Sequence, residues 1–275
     1  MSARTAIRFT LDALRRFKLK ARPRLPSEHL YATGAPRLRV LVIGVYLAHR
    51  KNTAALIARE FSNSHFFDVV QHWAAIGKRS TDPFLASVTS EQTDEKVPRS
   101  ILLNRLLAHE TPDAFEYVVV CDDDVVIQRG FLDLFLGLQT VHGLSLAQPA
   151  RTKNSWVDHP ITQQVDGSEC RFTRFVEIGP VFSIHRPLFK YLLPLDTTSA
   201  MGWGLDFVWP KIVEAQGLQM GIIDAAPVDH SLRQPKTGYV SKEALAAMEY
   251  LWRIKPHLTI EEAQVTLKTI PVRDQ

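Results

Sequence analysis

Residues 116 to 127, Glu-Tyr-Val-Val-Val-Cys-Asp-Asp-Asp-Val-Val-Ile, carry an apolar strand straight into three consecutive carboxylates. Like charges gathered at a strand end call for a cation. Side chains alternate along an extended chain, so Asp122 and Asp124 are expected on one face, sharing a divalent ion, with Asp123 on the other. Hard carboxylate oxygens suit Mg²⁺ or Mn²⁺, and such ions usually complete their shell with substrate phosphates. The plainer alternative is a solvated acidic turn that closes a hairpin.

Upstream, Leu-Arg-Val-Leu-Val-Ile-Gly-Val-Tyr at 38 to 46 is a nearly unbroken apolar run, as expected of a strand buried on both faces of a parallel sheet. Asn52 to Phe61 follows as a helix containing Ala55, Leu56, Ala58 and Arg59, all better suited to helix than strand. Phe66 to Ile76 reads as a second strand, interrupted by polar Gln71 and His72. A polar loop from Gly77 to Lys96 leads to a helix over Arg99 to His109, with Ile101, Leu102, Arg105 and Leu106 at helical spacing and Pro112 closing it. The strand ending in the aspartates comes next. This alternation is that of a doubly wound α/β sheet, in which ligands bind beyond the carboxyl ends of the strands.

The chain has 275 residues, 45% of them hydrophobic, enough for one substantial core. Neither a linker, an internal repeat nor a low-complexity run divides it. We expect a leader over 1–36, one α/β domain over 37–240 and a helical extension over 241–275, built on a helix around Ala244 to Ile254. Cys121 and Cys170 give no disulfide framework, so a reducing, cytoplasmic compartment is the default. Residues 1 to 24 hold eight Lys or Arg against Asp12, so the rest, with 25 bases and 28 acids, is slightly acidic. Ile7, Leu11, Leu14 and Phe17 to Leu19 give the leader one apolar side, the pattern of a basic helix lying peripherally on an anionic membrane, or else of a plain basic leader. Nucleic acid is not an expected partner, because the body has no basic surplus.

Farther on, Met-Gly-Trp-Gly-Leu-Asp-Phe-Val-Trp at 201 to 209 puts Asp206 at a helix start, where free amides favour its ionised form and suit it to act as a general base. Helix capping, with Trp203 and Trp209 as core packing, is the alternative. Leu218 to Ile223 reads as a strand ending in Asp224, and His230 lies just beyond, where it could reach a metal held by the earlier strand.

Together these residues resemble the GT-A type of nucleotide-sugar glycosyltransferase, and within it a group known from plants and bacteria. The resemblance spans roughly 38 to 240. It is carried by the aspartates at 122–124, His142 to Pro149, Phe175 to Ile178, Gly202 to Asp206, and Gly221 to Asp224 with His230. The Gly-Trp-Gly element is also similar to the Trp-Gly-x-Glu-Asp acceptor motif of inverting galactosyltransferases, although Phe207 stands where a second acid is found. The resemblance implies a single mixed, mostly parallel sheet flanked by helices, and Mn²⁺ or Mg²⁺ on Asp122, Asp124 and His230. Asp206 is then the base that activates an acceptor hydroxyl, with inversion at the sugar. Asp123, Tyr46, Asn52, Lys96 and Arg99 are the expected contacts of the donor, a UDP-sugar by expectation, with solvated cations at a helix start the alternative for Lys96 and Arg99. Trp203, Trp156, His159 and Glu177 are the expected contacts of a glycan or lipid-linked acceptor, in surface polysaccharide or glycolipid synthesis, with a plain surface loop anchored by one Trp the alternative for Arg151 to His159. Glu177 is a carboxylate in an apolar strand, so it needs a partner.

Two other functions fit parts of the pattern. One is a metal-dependent phosphohydrolase of the haloacid dehalogenase kind, whose Asp-x-Asp strand is however the first of its domain. The other is a nucleotide-sugar-binding protein at a membrane face that has lost the reaction.

Overall fold

Strand β1 (Leu38–Leu47) forms the spine of the molecule, and Val40 to Tyr46 are all buried. In the computed structural model, residues 37–234 and 242–272 are described. The basic leader, with its proposed membrane-facing helix, lies outside them. Val40, Val42 and Tyr46 turn to one face of the sheet, and Leu41, Ile43 and Val45 to the other. That two-residue alternation, apolar on both sides, is why β1 occupies an interior position.

Around it run α1 (Ala54–Ser62), β2 (Phe67–Ile76), α2 (Pro83–Ser87), β3 (Thr89–Thr93), α3 (Arg99–Leu107), β4 (Tyr117–Asp122), α4 (Phe131–Val141), β5 (Leu144–Arg151), β6 (Ser168–Thr173), β7 (Val181–His185), α5 (Phe189–Leu192), α6 (Leu205–Ala215), β8 (Gln219–Val228), α7 (Lys242–Ile254), α8 (Ile260–Ala263) and β9 (Thr266–Pro271). The strands form one sheet in the order β3-β2-β1-β4-β7-β5-β8-β6-β9. Helices α1 and α4 pack on one face through Ile57, Phe61, Phe131 and Phe135, and α3 and α6 on the other through Leu102, Leu106, Val208 and Trp209.

The mixed sheet is as expected, but its pairs divide evenly, four parallel and four antiparallel, because β6, β7 and β9 run against their neighbours. Three local readings change. The polar stretch after Gly77 is not all loop: Asp82 caps α2 through Phe84 N and Leu85 N, and Thr-Ser-Glu-Gln-Thr forms the edge strand β3. Edge strands need little apolar content, so β3 gives no hydrophobic signal. Asp224 does not end a strand; β8 runs on to Val228. The C-terminal segment is more than a helical extension, since β9 pairs with β6 and closes one edge of the sheet.

The directions place the site. β1, β2, β3, β4, β5 and β8 all end at one edge of the sheet, and antiparallel β7 begins there. The segments following Leu47, Ile76, Thr93, Asp122, Arg151 and Val228 therefore gather on that edge, with Glu177 to Pro180 just before β7. Among the described residues no helix is long and apolar enough to cross a membrane.

Candidate active site

At the tip of β4 each of the three aspartates has its own environment. Tyr117, Val119 and Cys121 face α1 and α4, while Val118 and Val120 face α3 and α6, so Asp122 continues the second series. There it meets Arg99, the first residue of α3: Nε donates to Oδ1 at 2.8 Å, and Nη2 lies 2.7 Å from the same oxygen. The strand ends at Asp122 and the chain turns, so the alternation expected through Asp124 stops. Asp123 is buried, accepting from Leu47 N at 2.7 Å and from the Arg233 guanidinium. Asp124 also takes Arg233, at 2.9 Å, and lies 3.2 Å from His230 Nε2. Asp123 and Asp124 thus share one guanidinium, and Asp122 has another.

Burial and these partners act on the three carboxyls in opposite directions. Burial raises Asp122, more than Arg99 lowers it. Burial likewise pushes Asp123 to about 6 despite Arg233. Burial also works to raise Asp124, but hydrogen bonding and charge from His230 and Arg233 outweigh it, and its carboxyl is held below the ordinary range. The reason is proximity: an opposite charge in direct contact favours the ionised form more than partial burial opposes it.

Behind this cluster stands Arg151, whose side chain is only 3% exposed. Its Nη2 donates to Glu177 Oε2 at 2.5 Å and to Gly179 O at 3.1 Å, and its Nη1 donates to Trp156 O at 2.7 Å and approaches His230 Nδ1 at 3.3 Å. A donor at Nδ1 leaves the imidazole proton on Nε2, facing Asp124. Glu177 is not in a strand but in the segment between β6 and β7, and Arg151 is the partner that its burial requires. Burial nonetheless raises its pKa, against the Arg151 charge.

Glu177 in turn acts on Asp206, the second residue of α6. Gly202 and Gly204 precede it with φ of 81° and 89°, backbone that side-chain-bearing residues rarely adopt, and so the chain turns sharply into the helix. Asp206 is 6% exposed, and among the described residues its Oδ1 has no hydrogen-bond partner. Burial and the Glu177 charge raise its pKa to about 8, although the amides of Asp206, Phe207 and Gly204 act to lower it. The expectation that the helix start keeps Asp206 ionised is therefore corrected. Loss of water and a neighbouring acid outweigh three backbone dipoles.

Beside the acid turn lies a cleft of about 640 Å³, lined among others by Tyr46, Asn52, Lys78, Arg79, Ser80 and Asp94. Chain neighbours of its lining residues are tied to the acid turn: besides the bond from Leu47, between Tyr46 and Ala48, Thr53 after Asn52 donates from N to Asp123 O at 2.7 Å and from Oγ1 to Val125 O at 2.5 Å. Of the expected donor contacts, Tyr46 and Asn52 line the cleft, Asp123 is bonded to the chain beside it, and Arg99 lies at Asp122. Lys96 stands exposed before α3 and does not line it. Trp156 is 45% exposed and Trp203 half-buried. His159 packs against Phe175 and Phe207, with ring centroids 4.6 and 5.8 Å away.

Lys78, Arg79, Asp94, Arg151 and Arg233 were not singled out from the sequence. Lys78 and Arg79 had one usable signal, a basic pair directly after a strand and a glycine. Arg233 had none.

The architecture has known counterparts. The mannosyltransferase PcManGT from Pyrobaculum calidifontis, solved with GDP-Man and Mn²⁺, superposes with a TM-score of 0.54 at 16% identity over 93% of this chain and 74% of its own. GalNAc-T7, solved with UDP, GalNAc and Mn²⁺, superposes with a TM-score of 0.51 at 10% identity over 78% of this chain, which spans about half of GalNAc-T7 (48%). The fold is GT-A. No protein-family model matches the sequence, and no curated protein matches it. On the GT-A sheet, the cleft and the aspartates occupy the edge where the strands end.

A divalent ion was expected on Asp122, Asp124 and His230. Among the described residues no three His, Cys, Asp or Glu side chains are gathered closely enough to hold one. Asp124 and His230 are adjacent, but Asp124 is also paired with Arg233 and Asp122 with Arg99. Two protein ligands of this kind fit an ion that draws the rest of its shell from phosphate and water. An ion held at His230 Nε2 would have to take the place of a proton there.

Proposed function

We propose that the protein is a metal-assisted glycosyltransferase that moves a sugar from a nucleotide donor to an acceptor hydroxyl with inversion. The observation that carries the reading is the junction of three parts on one sheet edge: a nucleotide-sized cleft, an acidic turn bonded to the chain beside it, and a buried carboxylate with an oxygen unpartnered among the described residues. In this reading Tyr46 and Asn52 hold the nucleoside, and Lys78 and Arg79 supply cations to the phosphates. A Mn²⁺ or Mg²⁺ ion bound at Asp124 and His230, with Asp122 beside them, would supply charge neutralisation for the departing diphosphate. Asp206, when ionised, takes the acceptor proton on Oδ1, the atom left without a hydrogen-bond partner among the described residues. Glu177 is engaged by Arg151, so it acts on the site through its charge. Trp156 and Trp203 offer aromatic faces on which an acceptor sugar can stack. UDP-sugars and GDP-mannose are both donors to test, and the acceptor is a glycan or a lipid-linked glycan of a surface polymer or glycolipid.

The test is incubation with Mn²⁺ and a panel of UDP-sugars and GDP-mannose. Release of UDP or GDP supports a transferase, and its absence with every donor sinks the reading. Asp124→Ala is expected to weaken Mn²⁺-dependent donor binding about 10- to 100-fold, measured by calorimetry with and without EDTA. Equal donor affinity in that variant would remove Asp124 from the site.

A second reading, a binding protein without turnover, is favoured by Arg99 and Arg233, which already neutralise the acids. It gives Mn²⁺-independent binding and no released nucleoside diphosphate. Free phosphate from a phosphomonoester would instead indicate a hydrolase.

A further inference from the structure

Helix α7 reaches the turn that presents Asp206. The indole Nε1 of Trp252 donates to Gly204 O at 3.2 Å. A Cβ at Gly204 would lie 2.7 Å from that nitrogen and 2.8 Å from Met248 Cγ. The rest of the indole is fixed: Phe207 meets it edge-on at 5.3 Å between centroids, and His257 stacks on it at 5.3 Å and 9°. Just beyond, Leu258 N donates to Phe207 O at 2.9 Å. Gly204 and Phe207, which bracket Leu205 and Asp206, are therefore both held by the segment 252–258.

We propose that Trp252 is a positioning residue for Asp206: its indole N–H fixes the Gly204 carbonyl, and with it the direction in which the Asp206 carboxylate leaves the helix start. A glycine at positive φ has a broad conformational basin and, here, no side-chain cap to narrow it. Within the turn the Gly204 carbonyl accepts from Phe207 N at 3.2 Å and Val208 N at 3.3 Å, and α7 adds the one side-chain donor that reaches it from outside the turn among the described residues. The amides of Gly204, Asp206 and Phe207 also act on the carboxylate, so a shifted turn changes both its aim and its proton affinity. This inference rests on the reading of Asp206 as the base.

Trp252→Phe in the full chain keeps most of the packing and removes the N–H. With UDP-glucose or GDP-mannose and Mn²⁺, whichever releases nucleoside diphosphate in the parent protein, kcat is expected to fall about tenfold, because misplacing a reacting group by an ångström costs up to about a hundredfold. The donor KM is expected to stay within about twofold, the signature of an interaction that matters only to the reaction. The pH midpoint of the reaction is expected to move upward. Leu251→Ala, buried on the same helix, is the control: it lowers the melting temperature and leaves kcat unchanged. The proposal is overturned if Trp252→Phe keeps the parent kcat, if Leu251→Ala loses as much, or if Trp252→Phe does not fold, since the contact is then only a folding requirement. Asp206→Asn separates the two ideas. Turnover surviving in it sinks the base reading itself, whereas turnover lost there but kept in Trp252→Phe sinks only the positioning role.

Discussion

Asp206→Asn is expected to lower kcat by about 10²- to 10⁴-fold while sugar-nucleotide binding is kept, because an amide is nearly isosteric with the carboxyl group but cannot take a proton. Nucleoside diphosphate release measures the first quantity and calorimetry the second. The pH dependence follows from the raised pKa. At neutral pH most of Asp206 carries a proton, so kcat/KM is expected to rise with pH through about 8. Asp206→Asn is expected to show no such rise. Stability moves the other way. The folded protein holds this proton more tightly than the unfolded chain, so the contribution is fully present below 3.8 and is lost as pH rises through about 8. Asp206→Asn is therefore expected to melt above the parent protein at pH 8 to 9. A variant that retained activity and melted identically across that range would show that this carboxyl is neither the base nor strained by burial.

Asp224→Ala is expected to cost about 3 to 5 kcal/mol of stability, the usual result of removing one member of a buried ion pair. Asp224 is fully buried inside β8, and Arg171 grips it with Nε to Oδ2 at 2.8 Å and Nη2 to Oδ1 at 3.0 Å. Ser168 Oγ and Val165 N complete its bonds at 2.8 and 3.0 Å. Removing the carboxylate leaves the Arg171 guanidinium charged among buried neighbours. For a domain of this size the melting temperature is expected to fall on the order of 10 °C. An Asp224→Ala melting curve that superposes on the parent curve would contradict the buried-pair account. The same residue belongs to the motif that made the chain resemble glycosyltransferases, yet its bonds are structural: it ties β6, β8 and the 161–165 segment together.

Legibility differed by type of interaction. β1, β2 and β4 could be read directly, because strands buried on both faces require runs such as Val40 to Tyr46 and Val118 to Cys121. The position of Asp206 after two glycines was equally readable, since glycine at positive φ followed by an apolar run marks a helix entry. β3 and β9 were not readable: they are polar or exposed edge strands whose formation depends on backbone already presented by β2 and β6. The site divides in the same way. Its acids, its late histidine and part of its cleft were visible as residue types at strand ends. The guanidiniums of Arg99, Arg151 and Arg233, which oppose the effect of burial on those acids, came into contact from 23 to 110 residues away.

The sequence by itself determined the α/β alternation, the strand that ends in carboxylates and the turn that starts the Asp206 helix, because each follows from local periodicity and backbone freedom. Only the tertiary structure decided which arginine meets which acid, that burial and Glu177 raise the pKa of Asp206, and that the Trp252 indole reaches Gly204 O. Those outcomes depend on burial and on charges brought together across the fold, and neither quantity is carried by any short stretch of chain.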